Sequence, residues 1–200
     1  MTMPAHVIPS FLFFCFIEGI TPGPANLASL NASLRYGKNT ALKQWRGLFT
    51  GFFADALLAV FLNYFFGMSF TKYVHYLSWI GAAYILWLAF HILTSKAPSE
   101  ETETDAEKSC NFLTGFIIQV TNAKVILFCI SALSTFVLPY STDLKVLLLT
   151  GCFLPFTGPF CYLCWLFAGA SLQSIFKKHW KLLNIIMAVS LILCAITLFL

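Results

Sequence analysis

Thr21-Pro22-Gly23-Pro24-Ala25-Asn26 interrupts an apolar segment that begins near Ile8 and runs to about Asn31. Each proline lacks an N–H and clashes with the carbonyl four residues back, here Glu18 and Ile20. In water such a stretch reads as a loop. Inside an apolar span it cannot face hydrocarbon, where its freed backbone groups find no partner. Broken backbone at that depth is tolerated only against protein or a water-filled cavity. Secondary transporters build substrate sites this way.

The surrounding composition makes the apolar reading general. Of 200 residues, 59% are hydrophobic and only 10% charged, and the mean hydropathy is +0.82. Soluble domains carry about 25% charged residues, so the chain reads as an all-α integral membrane protein. The net charge of +4 implies no nucleic-acid partner. Six of the seven cysteines lie inside apolar runs, where cysteine behaves as a small hydrophobe. Met1–Ser10 has no basic region and no small-residue cleavage site, and is not read as a cleavable signal peptide.

Six apolar segments predict six transmembrane helices, at about 8–31, 47–66, 74–93, 112–137, 144–172 and 182–200. The first, third and fifth connections hold nine basic residues, among them Arg35, Lys38, Lys43 and Arg46. The second and fourth hold only Lys72 and Lys145. The positive-inside rule then makes the odd connections cytoplasmic and puts both termini on the periplasmic side. Residues 94–111 form an acidic linker with Glu100, Glu101, Glu103, Asp105 and Glu107. The linker divides a single 1–200 domain into halves 1–93 and 112–200. With three spans each, the halves are expected to insert with opposite topology, as two inverted repeats.

Ionisable residues within spans are few: Glu18, Asp55 and Lys124. Each carries an insertion penalty of about 2.5–3.5 kcal/mol at a helix centre, which favours pairing or use. A structural ion pair is one reading; a role in transport is the other. After Pro24 a helix restarts, with proline suited to its first position. The N–H groups near Ala25–Leu27 then lack partners and carry the positive end of a dipole, which is an anion site. The freed carbonyls upstream accept, and Asn26 can do both. A carboxylate on one side and an ammonium on the other describe an amino acid. A plain packing kink is the alternative.

Pro155-Phe156-Thr157-Gly158-Pro159 predicts a second break, in the fifth span, and Thr121-Asn122-Ala123-Lys124 is a polar island in the fourth. Helices 1 and 5 are therefore expected to be broken near the midplane. Cys161-x-x-Cys164 opens a thiol-redox alternative. Gly47-x-x-x-Gly51 suits close helix approach. Trp79, Tyr84 and Trp87 read as packing and interface residues. His75, His91 and His179 make no metal-ligand cluster; there is no phosphate-cradling loop and no triad, so no cofactor or metal is expected.

Pro22-Gly23-Pro24, then Arg35-Tyr36-Gly37, Gly47 and Gly51, resemble the LysE/RhtB family of amino-acid exporters. Gln119-Val120-Thr121-Asn122-Ala123-Lys124 resembles that family's Asn-Pro-Lys region, with Ala123 in place of the proline. The fourth helix is therefore expected to break less sharply. Leu77–Tyr84, Ala132–Pro139, Cys164–Gly169 and Leu183-Asn184-Ile185 are similar to the cysteine and O-acetylserine exporters within the family. The resemblance implies a bacterial inner-membrane exporter, driven by the proton gradient, with dimers in reach. Glu18 has no counterpart in the family pattern.

The expected mechanism is export of a small neutral amino acid by alternating access. Its carboxylate meets the N–H groups after Pro24, with Lys124; its ammonium meets freed carbonyls, Asn26 or Asp55. Asn122, Thr157, Gly158 and Pro159 complete the substrate-binding set with Pro22, Gly23 and Ala25. Burial disfavours a charged carboxyl, which makes Asp55 and Glu18 the candidate proton carriers. The alternatives are export of homoserine, threonine or a cationic amino acid, and, from another class, a membrane thiol-redox enzyme or a scaffold.

Overall fold

Among the described residues every regular element is a helix. The computed structural model describes residues 3–67, 71–94 and 109–197, without the side chains of 71–78, 80, 81, 177 and 197. The acidic linker, with Lys96 and Lys108, and the side chains of Lys72, His75 and Lys177 lie outside the described residues. After a 3-10 turn at Ala5–Val7, the helices are α1 (Ile8–Ile20), α2 (Pro24–Phe66), α3 (Thr71–Leu93) and α4 (Phe112–Val120). There follow α5 (Ala123–Phe136), α6 (Leu144–Phe153), a 3-10 turn at Leu154–Phe156, α7 (Gly158–Ser171) and α8 (Gln173–Thr197).

Among the described residues, three helices are long and apolar enough to cross a membrane: Pro24–Phe66, Leu144–Ser171 and Lys178–Ile196. Phe112–Val120 and Ala123–Phe136 make a fourth if the bent pair is one span. The outer surface is apolar, with Phe13, Phe65 and Phe90 among its exposed residues.

The segments do not divide as the sequence suggested. The second was expected to begin at Gly47 after a basic loop. Instead the helix runs on from Lys38, and Lys43 and Arg46 sit on its exposed face while Ala41, Gln44 and Leu48 are buried. Residues 38–46 lack a breaker, and their apolar positions have helical spacing, so the helix continues. The one interruption is Gly37, at φ 80° and ψ 169°, a conformation nearly closed to residues with a Cβ. It divides α2 into a first piece, 24–36, and a second, 38–66.

The fifth segment was expected to break and the fourth to bend little: the fifth is interrupted where expected, by a 3-10 turn at Leu154–Phe156, but stays one span, whereas the fourth bends sharply. Pro155 and Pro159 each fall in the first two positions of a short helix, where no N–H is needed. One 3-10 turn therefore joins α6 to α7 and leaves a span that passes as continuous. In the fourth segment α4 and α5 are bent by 57° without any proline. Thr121 Oγ1–H bonds back to Ile117 O at 2.7 Å, and Asn122 N–H turns to Gln119 O at 2.8 Å. Such local bonds compete with the helical ladder and end it.

The core forms two main apolar clusters. One joins α1, the second piece of α2, α5 and α6, with Phe52, Phe128 and Leu133 buried within it. The other joins Leu27 and Leu34 of the first piece of α2 to α3 and α8. Close backbone approach fixes α2 against α4: a Cβ on Gly47 would fall onto the carbonyl of Phe112, and one on Gly115 onto that of Gln44.

Candidate functional site

α1 ends because Pro22 and Pro24 cannot donate, and Thr21 and Gly23 take extended backbone. The end of a helix leaves four carbonyls without intrahelical partners. Here these are Glu18, Gly19, Ile20 and Thr21, and side chains from elsewhere meet all four. Lys124 Nζ donates to Glu18 O at 3.2 Å and to Thr21 O at 3.0 Å. Asn26 Nδ2 donates to Gly19 O at 2.8 Å, and Trp165 Nε1 to Ile20 O at 3.2 Å. The Lys124 ammonium also pairs with the Glu18 carboxylate at 3.7 Å. A cation at this end complements the negative pole of the α1 dipole.

The helix starts divide into two kinds. α4 opens with a capping box between Asn111 and Thr114, and α6 with Asp143 accepting from Lys145 N–H at 2.9 Å. α1, α2, α5 and α7 open at Val7, Gly23, Asn122 and Thr157, and none of these has a side-chain cap. The starts of α2, α5 and α7 meet at one small cavity. Gly23 and Asn26, Asn122 and Lys124, and Gly158 line it, with Glu18, Phe52, Phe128 and Tyr162. The first N–H groups of a helix lack intrahelical partners and carry positive potential, so the cavity is electropositive on three sides. Asn122 Oδ1, in its wall, is buried and has no partner. The cavity measures about 10 Å³, room for one water at most. The site is closed.

A larger cleft, of about 730 Å³, lies between the first piece of α2, α3 and residues 109–121. Arg35, Gln44, Trp87, His91 and Thr121 are in its wall. Thr121 in its wall is the chain neighbour of Asn122, which lines the small cavity.

Asp55 lies on the second piece of α2, outside the cavity wall and 2% exposed. Gln119 Nε2 donates to its Oδ2 at 3.2 Å.

The LysE type translocator family matches residues 16–200. The chain belongs to the LysE family. A cysteine/O-acetylserine efflux protein of Salmonella paratyphi A is 36% identical over 197 residues, 98% of this chain and all of that protein. Proteins of the same description from Salmonella typhimurium and Escherichia coli O157:H7 are 36% and 34% identical over the same shares. No solved structure matches the chain.

In this LysE-family member the structure brings Glu18, Gly23, Asn26, Asn122, Lys124 and Gly158 to one cavity. Pro22, Pro24 and Ala25 shape the break beside it. Thr157 precedes the α7 start and turns its hydroxyl to Leu154 O at 2.7 Å. Pro159 O accepts from Trp45 Nε1 at 2.8 Å. Lys124 pairs with Glu18 and not with Asp55. The cysteines, Cys161 and Cys164 among them, form no disulfide among the described residues. Sequence reasoning missed Gln119, Trp165 and Tyr162. Their signal was a hydrogen-bonding group inside an apolar run, which needs a buried partner.

Proposed function

We propose that the chain exports a small neutral amino acid, cysteine or O-acetylserine, from cytoplasm to periplasm by proton-coupled alternating access. The observation that carries this is the meeting of three uncapped helix starts and the Lys124 ammonium at one closed cavity. A carboxylate is the ligand such a place recognises. Asn122 Oδ1, buried without a donor, suits the ammonium of the same molecule. The charged residues of the wall, Glu18 and Lys124, are already paired, so a cationic side chain would find no acid of its own. The relatives described as cysteine/O-acetylserine efflux proteins support the same substrate class.

In this reading the chain sits in the bacterial inner membrane, its apolar exterior against lipid, with six spans and both termini periplasmic. The halves 1–93 and 112–200 form one domain of inverted repeats. The breaks after Ile20 and Val120 fall in the first span of each half, the corresponding positions such a plan requires. The 730 Å³ cleft opens beside Arg35 and Thr94, on the side read as cytoplasmic, and gives substrate its way in. Asp55 carries the coupled proton. A homodimer is part of the proposal.

Counterflow in proteoliposomes tests it. Liposomes loaded with cysteine or O-acetylserine should exchange labelled substrate, faster under an imposed pH gradient. Exchange with other amino acids but not these moves the substrate. No exchange with any amino acid, from protein shown to be folded, overturns the exporter reading.

A further inference from the structure

Gln119 lies in the last turn of α4, is fully buried, and donates through Nε2 to Asp55 Oδ2 at 3.2 Å. The other end of the same amide, Oε1, is buried and has no partner. Buried polar atoms are rarely left so, and each exception asks for an explanation. The backbone carbonyl of Gln119 accepts Asn122 N–H at 2.8 Å, which is the turn that opens the break between α4 and α5. Tyr162 lies beside the amide and also in the wall of the break cavity. Behind the amide, a Cβ added at Gly51 would come within 2.7 Å of Gln119 Cβ. The side chain is thus held between Asp55, the helix break and the cavity wall.

Resting on the proton-coupled reading above, we infer that Gln119 is a positioning residue that carries the proton state of Asp55 to the break at Thr121–Asn122. Ionised Asp55 only accepts, and it holds the amide by its N–H. A proton arriving from the periplasmic side on an Asp55 oxygen turns the carboxyl into a donor. Its O–H then pairs with Gln119 Oε1 once the amide makes a half-turn, and Nε2 swings toward Tyr162 and the cavity. One O–H bond forms at Asp55; the same bond breaks when the proton leaves to the cytoplasm and the amide turns back. The unpartnered Oε1 is the acceptor kept for the protonated state. The titratable groups acting on Asp55 from neighbouring helices are Cys129 of α5 and Tyr162 of α7. The Glu18–Lys124 pair of α1 and α5 shares the cavity wall with Tyr162.

The test is labelled-cysteine transport in proteoliposomes, each variant's gradient-driven rate divided by its own exchange at equal pH. Asp55→Asn should lose the gradient's acceleration. Gln119→Met, close in volume, should lose about tenfold of it, a coupling of ordinary size, and the double variant should lose no more than Asp55→Asn alone. Gln119→Glu, which can share a proton with Asp55, should keep a gradient response with its pH profile displaced. That variant decides the matter if Gln119→Met does not fold. An unchanged ratio in Gln119→Met, or an unchanged profile in Gln119→Glu, beside loss in Asp55→Asn overturns the role of Gln119 and leaves the proton reading standing. An unchanged ratio in Asp55→Asn overturns that reading and this inference together.

Discussion

Lys124→Met is the sharpest perturbation of the break. The parent ammonium donates to two carbonyls of the last turn of α1, Glu18 O at 3.2 Å and Thr21 O at 3.0 Å. Methionine keeps the length of the stem and removes the donors. Glu18 O then faces a cavity that holds no more than one water, and Thr21 O, partly buried beside it, loses its donor. An orphaned buried acceptor costs about 1–3 kcal/mol, so the two together predict a loss of roughly 2–6 kcal/mol. The ion pair adds little to that figure. Glu18 is about a third exposed at 34% and its carboxylate stands at 3.7 Å, and screened pairs of this kind are worth about 0–1 kcal/mol.

The assay is equilibrium unfolding in mixed micelles by SDS titration, followed by tryptophan fluorescence, with four variants side by side. Lys124→Met should show the full loss and Glu18→Gln about 1 kcal/mol or less. Lys124→Arg should fall between them, since its planar fork keeps the charge but not the geometry. The double variant Lys124→Met/Glu18→Gln should be no less stable than Lys124→Met alone, because the partner is already gone. Lys124→Met within about 0.5 kcal/mol of the parent would refute the reasoning, as the change would then be no larger than an ordinary surface substitution.

Three further outcomes follow from the fold. Gly37→Ala puts a side chain at φ 80° and should lower stability by about 1–3 kcal/mol, read in the same titration. Gly115→Val drives a side chain into the carbonyl of Gln44; parting α2 from α4 should cost about 1–3 kcal/mol or more and lower the thermal midpoint. Cys110, 1% exposed and outside the spans, has its thiol pushed up to about 12 by burial. Raising a thiol above its usual 9.0 lowers the thiolate fraction at neutral pH roughly a thousandfold, so maleimide should label Cys110 in the folded protein far more slowly than after unfolding, as mass spectrometry of the 109–121 region would show.

How much of this was legible in the chain depends on where the cause lies. The first break is local: Pro22 and Pro24, two positions apart, both lack the N–H a helix needs, and α1 ends just before them. The second break is not local. Nothing in Thr121-Asn122-Ala123-Lys124 forbids a helix, and the missing proline pointed to a mild bend. The bend of 57° comes from Thr121 turning back on Ile117 and from Lys124 being drawn to the end of α1, a partner more than a hundred residues away. Pro155 and Pro159 do mark an interruption, but one that leaves the span in one piece. Proline ends a helix only where its N–H was needed, and both stand at starts. The basic run from Lys38 was taken for a loop by charge, yet its buried face has helical spacing. The pairing of Lys124 with Glu18 instead of Asp55 could not be read from depth alone, since all three residues lie inside spans.

Placed together, these features give the breaks a common logic. Where α1 ends, its carbonyls are met by Lys124, Asn26 and Trp165, from three different helices. Where α2, α5 and α7 begin, no side chain meets the N–H groups at all. Stability alone would favour a cap at each start, worth about 1 kcal/mol apiece, and the chain uses such caps at α4 and α6. In the proposed reading, saturated acceptors beside unsaturated donors favour a ligand that brings negative charge. The same lysine that closes the acceptor side stands at the start of α5, so an arriving carboxylate competes with Glu18 O and Thr21 O for its ammonium. Binding would thereby loosen the end of α1, and the one group that holds the break shut is also the one a substrate would draw away.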